Sequence, residues 1–296
     1  MNIWDDIKAS FREGSMLIRL IYINVGVWLA VNLTWIILFL AGVPNPSLHV
    51  LRWLAVPAYL PALLTHPWTP VTYMFTHQGF LHILFNLLWL YWFGIIFLQY
   101  FDQKKLVGVY VLGGLTGALF YIAGFNLFPA FHNVLPVSLA LGASASVMAL
   151  VIATAVYVPN YPVYVFLIGP VKIKYIALVA FILTTLVDFP TNTGGKFAHL
   201  GGALYGYLFV LQYRRGKDPT RRFNKTLDSL ATLFKPRKKK IHVTYKRPAD
   251  DIEYNRQKLH EQEEIDRILD KISKGGYDSL TKKEKEILFR MSNKEN

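Results

Sequence analysis

The 296-residue sequence contains no cysteine. Disulfide bonds, thiolate nucleophiles and cysteine-bound metals are therefore excluded. Charge is also scarce, since charged residues make up 17% of the chain, against roughly 25% in a soluble globular protein. Hydrophobic residues reach 53% and the mean hydropathy is +0.30, so the composition argues against a soluble protein.

The few charges are unevenly distributed along the chain. Residues 20–213 contain only eight charged side chains, whereas residues 214–296 contain 23 Lys or Arg and 14 Asp or Glu. We therefore predict four segments. They are a cytoplasmic N-terminal segment (1–19), a membrane domain (20–213), a basic linker (214–250) and a cytoplasmic helical hairpin (251–296).

Apolar runs of 15 to 25 residues predict six membrane helices, at residues 20–42, 81–101, 106–128, 144–158, 173–188 and 197–213. An even number of spans places both termini on one side, and most Lys and Arg residues at the helix ends lie on that side. By the positive-inside rule, we expect both termini to be cytoplasmic. We also expect the membrane to be a bacterial inner membrane. The predicted fold class is an all-α membrane protein with a cytoplasmic helical tail.

The fourth predicted helix is too short for an ordinary crossing. It begins at Ser144 and covers about 22 Å, against a hydrocarbon thickness near 30 Å. Non-helical backbone at that depth requires a protein or water-filled surrounding, so we expect residues 129–142 to dip in from outside over a cavity. Residues 43–80 are too apolar for a solvated loop and predict short helices in the outer interface.

Three strongly polar residues fall at one depth of the predicted bundle. Counted from the cytoplasmic edge, Ser144, His199 and Asn86 lie 15 or 16 residues up their helices. His82 lies one turn above Asn86 on the same helical face. A serine, a histidine and additional hydrogen-bond donors meeting in a cavity are the groups that nucleophilic acyl transfer requires.

The helices that carry the serine and the histidine also contain small residues at helical spacing. Gly202 and Gly206 on the sixth helix face a predicted alanine stripe on the fourth, a pattern that permits close backbone approach in lipid. Helix packing alone explains the glycines, but such packing would also bring Ser144 within reach of His199.

Three motifs resemble those of the rhomboid intramembrane serine proteases. Residues 142–145 (GASA) are similar to the family's GxSx motif, residues 198–202 (AHLGG) with Gly206 to its AHxxG…G motif, and residues 82–86 (HILFN) to its HxxxN motif. The resemblance covers roughly residues 20–213 and implies a six-helix rhomboid-like bundle that cleaves transmembrane segments of membrane proteins.

The resemblance also implies the roles of particular residues. Ser144 would be the nucleophile and His199 the general base. The Ser144 backbone N–H and the side chains of His82 and Asn86 would stabilise the oxyanion. Gly142, Gly202 and Gly206 would support the site, and Met148 stands where the family frequently has a tyrosine that stacks on the base. We expect no metal and no cofactor.

Other functions remain alternatives at this stage. A zinc protease requires His-Glu-x-x-His, which the sequence lacks, and an aspartyl protease requires two paired intramembrane aspartates, whereas Asp102 and Asp188 fall at opposite ends of the bundle. A transporter would be expected to show inverted repeats, and the sequence shows none. The main alternative is a non-catalytic rhomboid-like protein that binds transmembrane clients.

The C-terminal segments predict further contacts. The basic linker, with its Lys/Arg cluster at residues 235–240, favours anionic lipid at the inner membrane face over nucleic acid. Apolar periodicity predicts a helix over about residues 251–273, and Thr281 with Glu284 predicts a capping box that opens a second helix. So small a hairpin buries little apolar surface, and we expect it to dock on a partner or on a second copy.

Overall fold

The computed structural model describes residues 3–233 and 251–292. The chain divides into two compact units, Met1–Lys235 and Pro236–Asn296. Part of the predicted linker, residues 234–250 with the Lys/Arg cluster at 235–240, lies outside the described residues.

The first unit is mostly helical, as the sequence predicts. Its helices are α1 (Ile3–Glu13), α2 (Met16–Leu40), α3 (Pro46–Leu54), α4 (Leu60–Thr65), α5 (Thr69–Thr72), α6 (Phe80–Leu98), α7 (Gln103–Leu127), α8 (Ser144–Tyr157), α9 (Ile173–Thr185), α10 (Thr193–Arg214) and α11 (Arg221–Leu233). Short 3-10 turns lie at Tyr73–Phe75, Pro129–Phe131 and Leu135–Val137.

Capping side chains set where several of these helices begin. The Ser15 hydroxyl accepts a hydrogen bond from the Ile18 N–H, so α2 starts four residues before the prediction. Asp102 caps α7 by accepting from the Lys105 N–H at 2.8 Å, and Asn192 caps α10. Each helix therefore starts earlier than its apolar run, because polar residues are favourable in the first turn.

Within residues 3–233 and 251–292, three helices are long and apolar enough to cross a membrane: α2, α6 and α7. The apolar helices α8 and α9 are shorter, with 14 and 13 residues. The short fourth helix expected from the sequence is therefore present, and α8 begins at Ser144 as predicted.

The predicted outer segment consists of the short helices α3, α4 and α5 held by aromatic contacts. The Trp68 indole N–H donates to the Trp53 carbonyl oxygen at 2.8 Å and the two rings stack with centroids 5.8 Å apart. His66 packs edge-on against both rings. A two-residue ladder then ties this segment to the stretch before α8, because β1 (Val56–Pro57) pairs antiparallel with β2 (Leu139–Ala140).

The buried core lies where α7, α8 and α10 meet. A Cβ atom added at Gly202 or Gly206 on α10 would overlap the carbonyl oxygen of Ala145 or Ala149 on α8. From the other side, a Cβ added at Gly113 on α7 would overlap the Ala149 methyl group. The small residues thus allow backbone-to-backbone contact, as the sequence predicts.

Several elements of the first unit were not expected from the sequence, among them helix α1, the β1–β2 ladder, a hairpin and helix α11. A β-hairpin formed by β3 (Pro162–Val165) and β4 (Gly169–Lys172) joins α8 to α9. Helix α11 occupies part of the predicted linker, and its Asp228 forms an exposed ion pair with Lys104 at 2.6 Å. Apolar residues at Phe223, Leu227 and Leu230 give α11 an amphipathic face, which a count of basic residues does not reveal.

The second unit contains the two predicted helices, α12 (Asp251–Gly275) and α13 (Lys282–Ser292), with a 3-10 turn at Tyr277–Ser279 between them. The predicted capping box is present, since the Thr281 N–H donates to the Glu284 carboxylate at 2.7 Å. Hydrogen bonds from the Thr281 backbone and hydroxyl, together with Lys271, lower the pKa of Glu284 to about 2. Ile268 and Leu280 are buried, whereas Leu259 and Phe289 are exposed.

The glycine contact between α8 and α10 makes a stability prediction. The variant Gly206→Ala places a methyl group against the Ala149 carbonyl and should lower the free energy of unfolding by roughly 1–3 kcal/mol, as overpacking does. The matched control is Gly26→Ala on α2, where no atom lies within 4 Å of the added Cβ. Thermal unfolding in detergent should show the loss for Gly206→Ala alone, and equal melting temperatures would contradict the packing described here.

Candidate active site

A cavity of about 420 Å³ lies between α6, α8, α9 and α10. Its lining includes the five residues singled out from the sequence for chemistry or for packing on the base: Ser144, His199, His82, Asn86 and Met148. Gly142 adjoins the cavity through its contact with His82, and Gly202 and Gly206 lie behind it in the contact between α8 and α10. Side chains from three helices thus meet at one level.

Ser144 is the first residue of α8 and is half-buried. No side chain caps this helix start. The first N–H groups of a helix have no intrahelical partner, so the Ser144 N–H is available as a donor beside its own hydroxyl. Ser146 turns away from the cavity, because two residues of helix rotate by about 200°, and its hydroxyl contacts the Met74 sulfur.

The backbone just before Ser144 is fixed by two hydrogen bonds and by the conformation of Gly142. The Gly142 N–H donates to the Tyr73 carbonyl oxygen at 2.9 Å. The next N–H, that of Ala143, donates to Nε2 of the buried His77 at 3.1 Å. Gly142 has a φ of 120°, a left-handed conformation that favours glycine. The sharp entry into α8 therefore depends on Gly142 and on His77.

His77 contacts both the segment that precedes α6 and the start of α8. Its Nδ1 faces the Phe75 carbonyl oxygen at 3.3 Å, while Nε2 accepts from Ala143. A neutral ring with its proton on Nδ1 satisfies both bonds. His77 also packs edge-on against His82, with ring centroids 5.1 Å apart, and so links the outer loop to the cavity wall.

His199 lies on α10, half-buried, with Nδ1 3.1 Å from the Thr184 carbonyl oxygen of α9. Because a carbonyl oxygen only accepts, this contact places the proton on Nδ1 and leaves Nε2 with a free lone pair. The Thr184 carbonyl lies in the last turn of α9, where Leu186 and Val187 N–H groups both donate to Ile182. The end of α9 therefore supplies the group that orients the imidazole.

Lys196 provides a second link between α10 and the end of α9, one helical turn before His199. Its side chain is buried, and its ammonium donates to the carbonyl oxygens of Val187 and Asp188. Carbonyl oxygens at a helix C-terminus carry the negative end of the helix dipole, which suits a cation. Neither this contact nor the role of the Thr184 carbonyl was predicted from the sequence.

His82 and Asn86 lie on one face of α6, four residues apart. The Asn86 side-chain amide donates one N–H to the His82 carbonyl oxygen at 2.8 Å. An amide nitrogen carries two protons, so the second remains for the cavity. The His82 ring lies so close to Gly142 that a Cβ added there would be 2.8 Å from its Cε1, which places the ring beside the start of α8.

The relation between Ser144 and His199 is proximity within one cavity. Among the hydrogen bonds of the described residues, none joins the two side chains. Met148, one turn after Ser144, is buried and lines the same cavity. Across residues 3–233 and 251–292, His, Asp and Glu side chains do not gather into a group of three or more that could hold a metal ion.

Comparison with known proteins identifies relatives of the membrane unit. The chain is 28% identical over 153 residues to Rhomboid protease AarA of Providencia stuartii, a match that covers 47% of this chain and 53% of that protein. It is 27% identical over 162 residues to RHOMBOID-like protein 12, mitochondrial, of Arabidopsis thaliana, covering 50% and 47%. The chain spans about half the length of the curated relatives it matches.

Two family models match different parts of the sequence. Residues 250–294, which include α12 and α13, match a family of unknown function, DUF6576. The Rhomboid domain matches residues 64–216, more than half of the chain and the whole of the cavity described above. With the two relatives, this match shows that the chain belongs to the rhomboid family of membrane proteins.

Proposed function

We propose that this chain is a serine endopeptidase that cleaves transmembrane segments of other membrane proteins, with Ser144 as nucleophile and His199 as general base. The observation that carries the proposal is the shared cavity, in which the serine at a helix start faces the same space as a histidine held by its Nδ1. Membership in the rhomboid family supports the same reaction.

The first step is proton transfer from the Ser144 hydroxyl to Nε2 of His199. The Thr184 carbonyl oxygen accepts the Nδ1 proton and so keeps Nε2 free to act as the base. The hydrogen bond between a nucleophile and its general base is often long without substrate and shortens when substrate binds. The serine oxygen then attacks the peptide carbonyl carbon and forms a tetrahedral intermediate.

Three donors are placed to stabilise the negative oxygen of that intermediate. They are the Ser144 N–H at the positive end of the α8 dipole, the remaining Asn86 amide proton and the His82 ring. His199 then gives its proton to the leaving amine, which departs and leaves an acyl group on Ser144. Water then attacks the carbonyl carbon of this ester while His199 removes its proton. The bond to the Ser144 oxygen breaks, the new carboxyl terminus leaves, and His199 returns the proton to restore the hydroxyl.

The substrate must present an extended peptide bond to the cavity. In a helix, the carbonyl that is to be attacked is hydrogen-bonded and shielded by side chains, so the helix must unwind locally. We expect small or helix-bending residues at the cut site for this reason. The cavity wall includes the apolar side chains of Leu81, Phe85 and Trp89, which suit a substrate segment that leaves the lipid.

The proposed membrane arrangement has six crossings, made by α2, α6, α7, α8, α9 and α10. The small number of charges in these helices and the Lys and Arg residues at one set of ends support both termini in the cytoplasm. A bacterial inner membrane is the proposed location, which fits the relative from Providencia stuartii.

The C-terminal unit is proposed to act through contacts rather than chemistry. Leu259, Leu269 and Phe289 leave apolar side chains exposed on α12 and α13, and we infer that a partner or a second copy covers them. For the basic linker at 214–250, attraction to anionic lipid at the inner face is the proposed role.

Replacing the proposed nucleophile gives the first test of this function. Ser144→Ala should reduce cleavage of a transmembrane reporter in proteoliposomes by about 10³-fold or more, because it removes the hydroxyl proposed to form the acyl-enzyme. The matched control is Ser146→Ala, two residues along α8 and turned out of the cavity. If Ser144→Ala still cleaves the reporter, Ser144 is not the nucleophile. If the unaltered chain binds the reporter without cutting it, the client-binding alternative is favoured.

The oxyanion assignment predicts a kinetic change at Asn86. Asn86→Ala should lower kcat by about 10²-fold with little change in KM, since one donor to the transition state is lost. Asn32→Ala is the control, because Asn32 makes the same bond to the carbonyl four residues earlier but lies outside this cavity. Equal kcat values for the two variants would remove Asn86 from the mechanism.

A further inference from the structure

The tip of the hairpin β3–β4 exposes four large apolar side chains. Tyr164, Phe166, Leu167 and Ile168 are 82%, 87%, 90% and 73% exposed. Residues 162–171 contain no charged side chain. A turn exposed to water is typically made of Gly, Asn, Asp or Ser, so this tip has the composition of a surface that is covered.

The base of the hairpin is firmly attached to the membrane unit. Four residue pairs, from Pro162 with Lys172 to Val165 with Gly169, hold the strands in register. The Ile173 N–H donates to the Tyr161 carbonyl oxygen at 2.9 Å, and Val163 packs on the core. Because four strand residues span about 13 Å, the turn at residues 166–168 lies about that far from the base of the hairpin.

The backbone at the tip of the hairpin has an unfavourable dihedral angle at Leu167. Leu167 has a φ of 65°, a left-handed conformation in which a glycine or asparagine would be less strained. A large apolar residue is nevertheless present at this position, which is the most exposed in the hairpin. This conformation leaves three consecutive apolar side chains exposed, Phe166, Leu167 and Ile168, which is unfavourable in water.

The chain surface next to the hairpin indicates what that environment is. Strand β4 continues directly into α9, whose exposed face is also apolar, with Tyr175, Leu178 and Val179 each more than half exposed. Lys172 and Lys174 stand at the junction, and the Lys174 ammonium lies over the Tyr175 ring at 5.1 Å. Basic and aromatic side chains between an apolar tip and an apolar helix face are typical of a membrane interface.

We propose that this hairpin is a membrane-interface anchor, with Phe166, Leu167 and Ile168 inserted among the lipid headgroups and upper acyl chains of the membrane that α8 and α9 occupy. The occupant of the surface is lipid, and the lysines at its base face the headgroup phosphates. The anchor fixes the C-terminal end of α8 and the N-terminal end of α9, which are the ends opposite to Ser144 and Thr184. The inference rests on the proposed crossing of α8 and α9 and goes beyond the proposed proteolysis.

The absence of cysteine makes the test direct, because single-cysteine variants of the full chain carry one label each. Leu167→Cys is nitroxide-labelled and reconstituted in vesicles of phosphatidylcholine, with and without phosphatidylglycerol. Power-saturation electron paramagnetic resonance then compares relaxation by oxygen with relaxation by a water-soluble nickel chelate. Lys217→Cys, exposed after α10, is the matched aqueous control, and Ile168→Cys repeats the measurement if Leu167→Cys fails to fold.

The anchor predicts an oxygen-to-nickel ratio several-fold higher at position 167 than at position 217, in both lipid mixtures. Equal ratios at the two positions would place the tip in water and overturn the proposal. Dipolar broadening between labels would show a second copy on the tip instead, and would overturn it as well. Cleavage of the reporter by the labelled variants separates the two claims, because an aqueous tip on an active enzyme contradicts the anchor alone.

Discussion

Direct packing of α10 on the backbone of α8 is the contact on which the geometry of the site depends. At Gly202 and Gly206 the neighbouring atoms are the carbonyl oxygens of Ala145 and Ala149, so no side chain separates the helices. Lipid gives little hydrophobic drive for helix association, and close van der Waals contact must supply it. Because Ser144 precedes Ala145 by one residue and His199 precedes Gly202 by three, this contact also sets how near the hydroxyl and the imidazole come.

The second requirement is an acceptor that orients the histidine without a buried charge. A carboxylate in this position would have to be ionised inside the membrane, which is costly unless it is paired. The structure uses a backbone carbonyl instead, that of Thr184, which is free because α9 ends at Thr185. Lys196 holds the same helix end through two more carbonyls. The terminus of α9 is therefore part of the candidate site although it adds no reactive side chain.

Sequence reasoning found the parts of the site that depend on helical repetition. Counting residues from the helix ends placed Ser144, His199 and Asn86 at one level, and they line one cavity. Small-residue spacing likewise predicted the contact at Gly202 and Gly206. The contacts that sequence reasoning missed depend on where helices end. The Thr184 and Lys196 contacts exist because α9 ends three residues before the predicted boundary. Apolar composition does not mark that point. The hairpin β3–β4 was also missed. Residues 159–172 fall between two predicted helices, and the residues of the turn, Phe166 to Ile168, include none of the Asn, Asp or Gly residues that usually mark a hairpin turn.

The central claim is that the cavity activates one particular serine through His199. It is tested most directly by treating the reconstituted chain with a fluorophosphonate and locating the adduct by peptide mass spectrometry. The claim predicts a single adduct on Ser144 that is lost in His199→Ala, because the hydroxyl reacts only when the imidazole removes its proton. An unmodified Ser144, or a Ser144 adduct that forms equally well in His199→Ala, would contradict it.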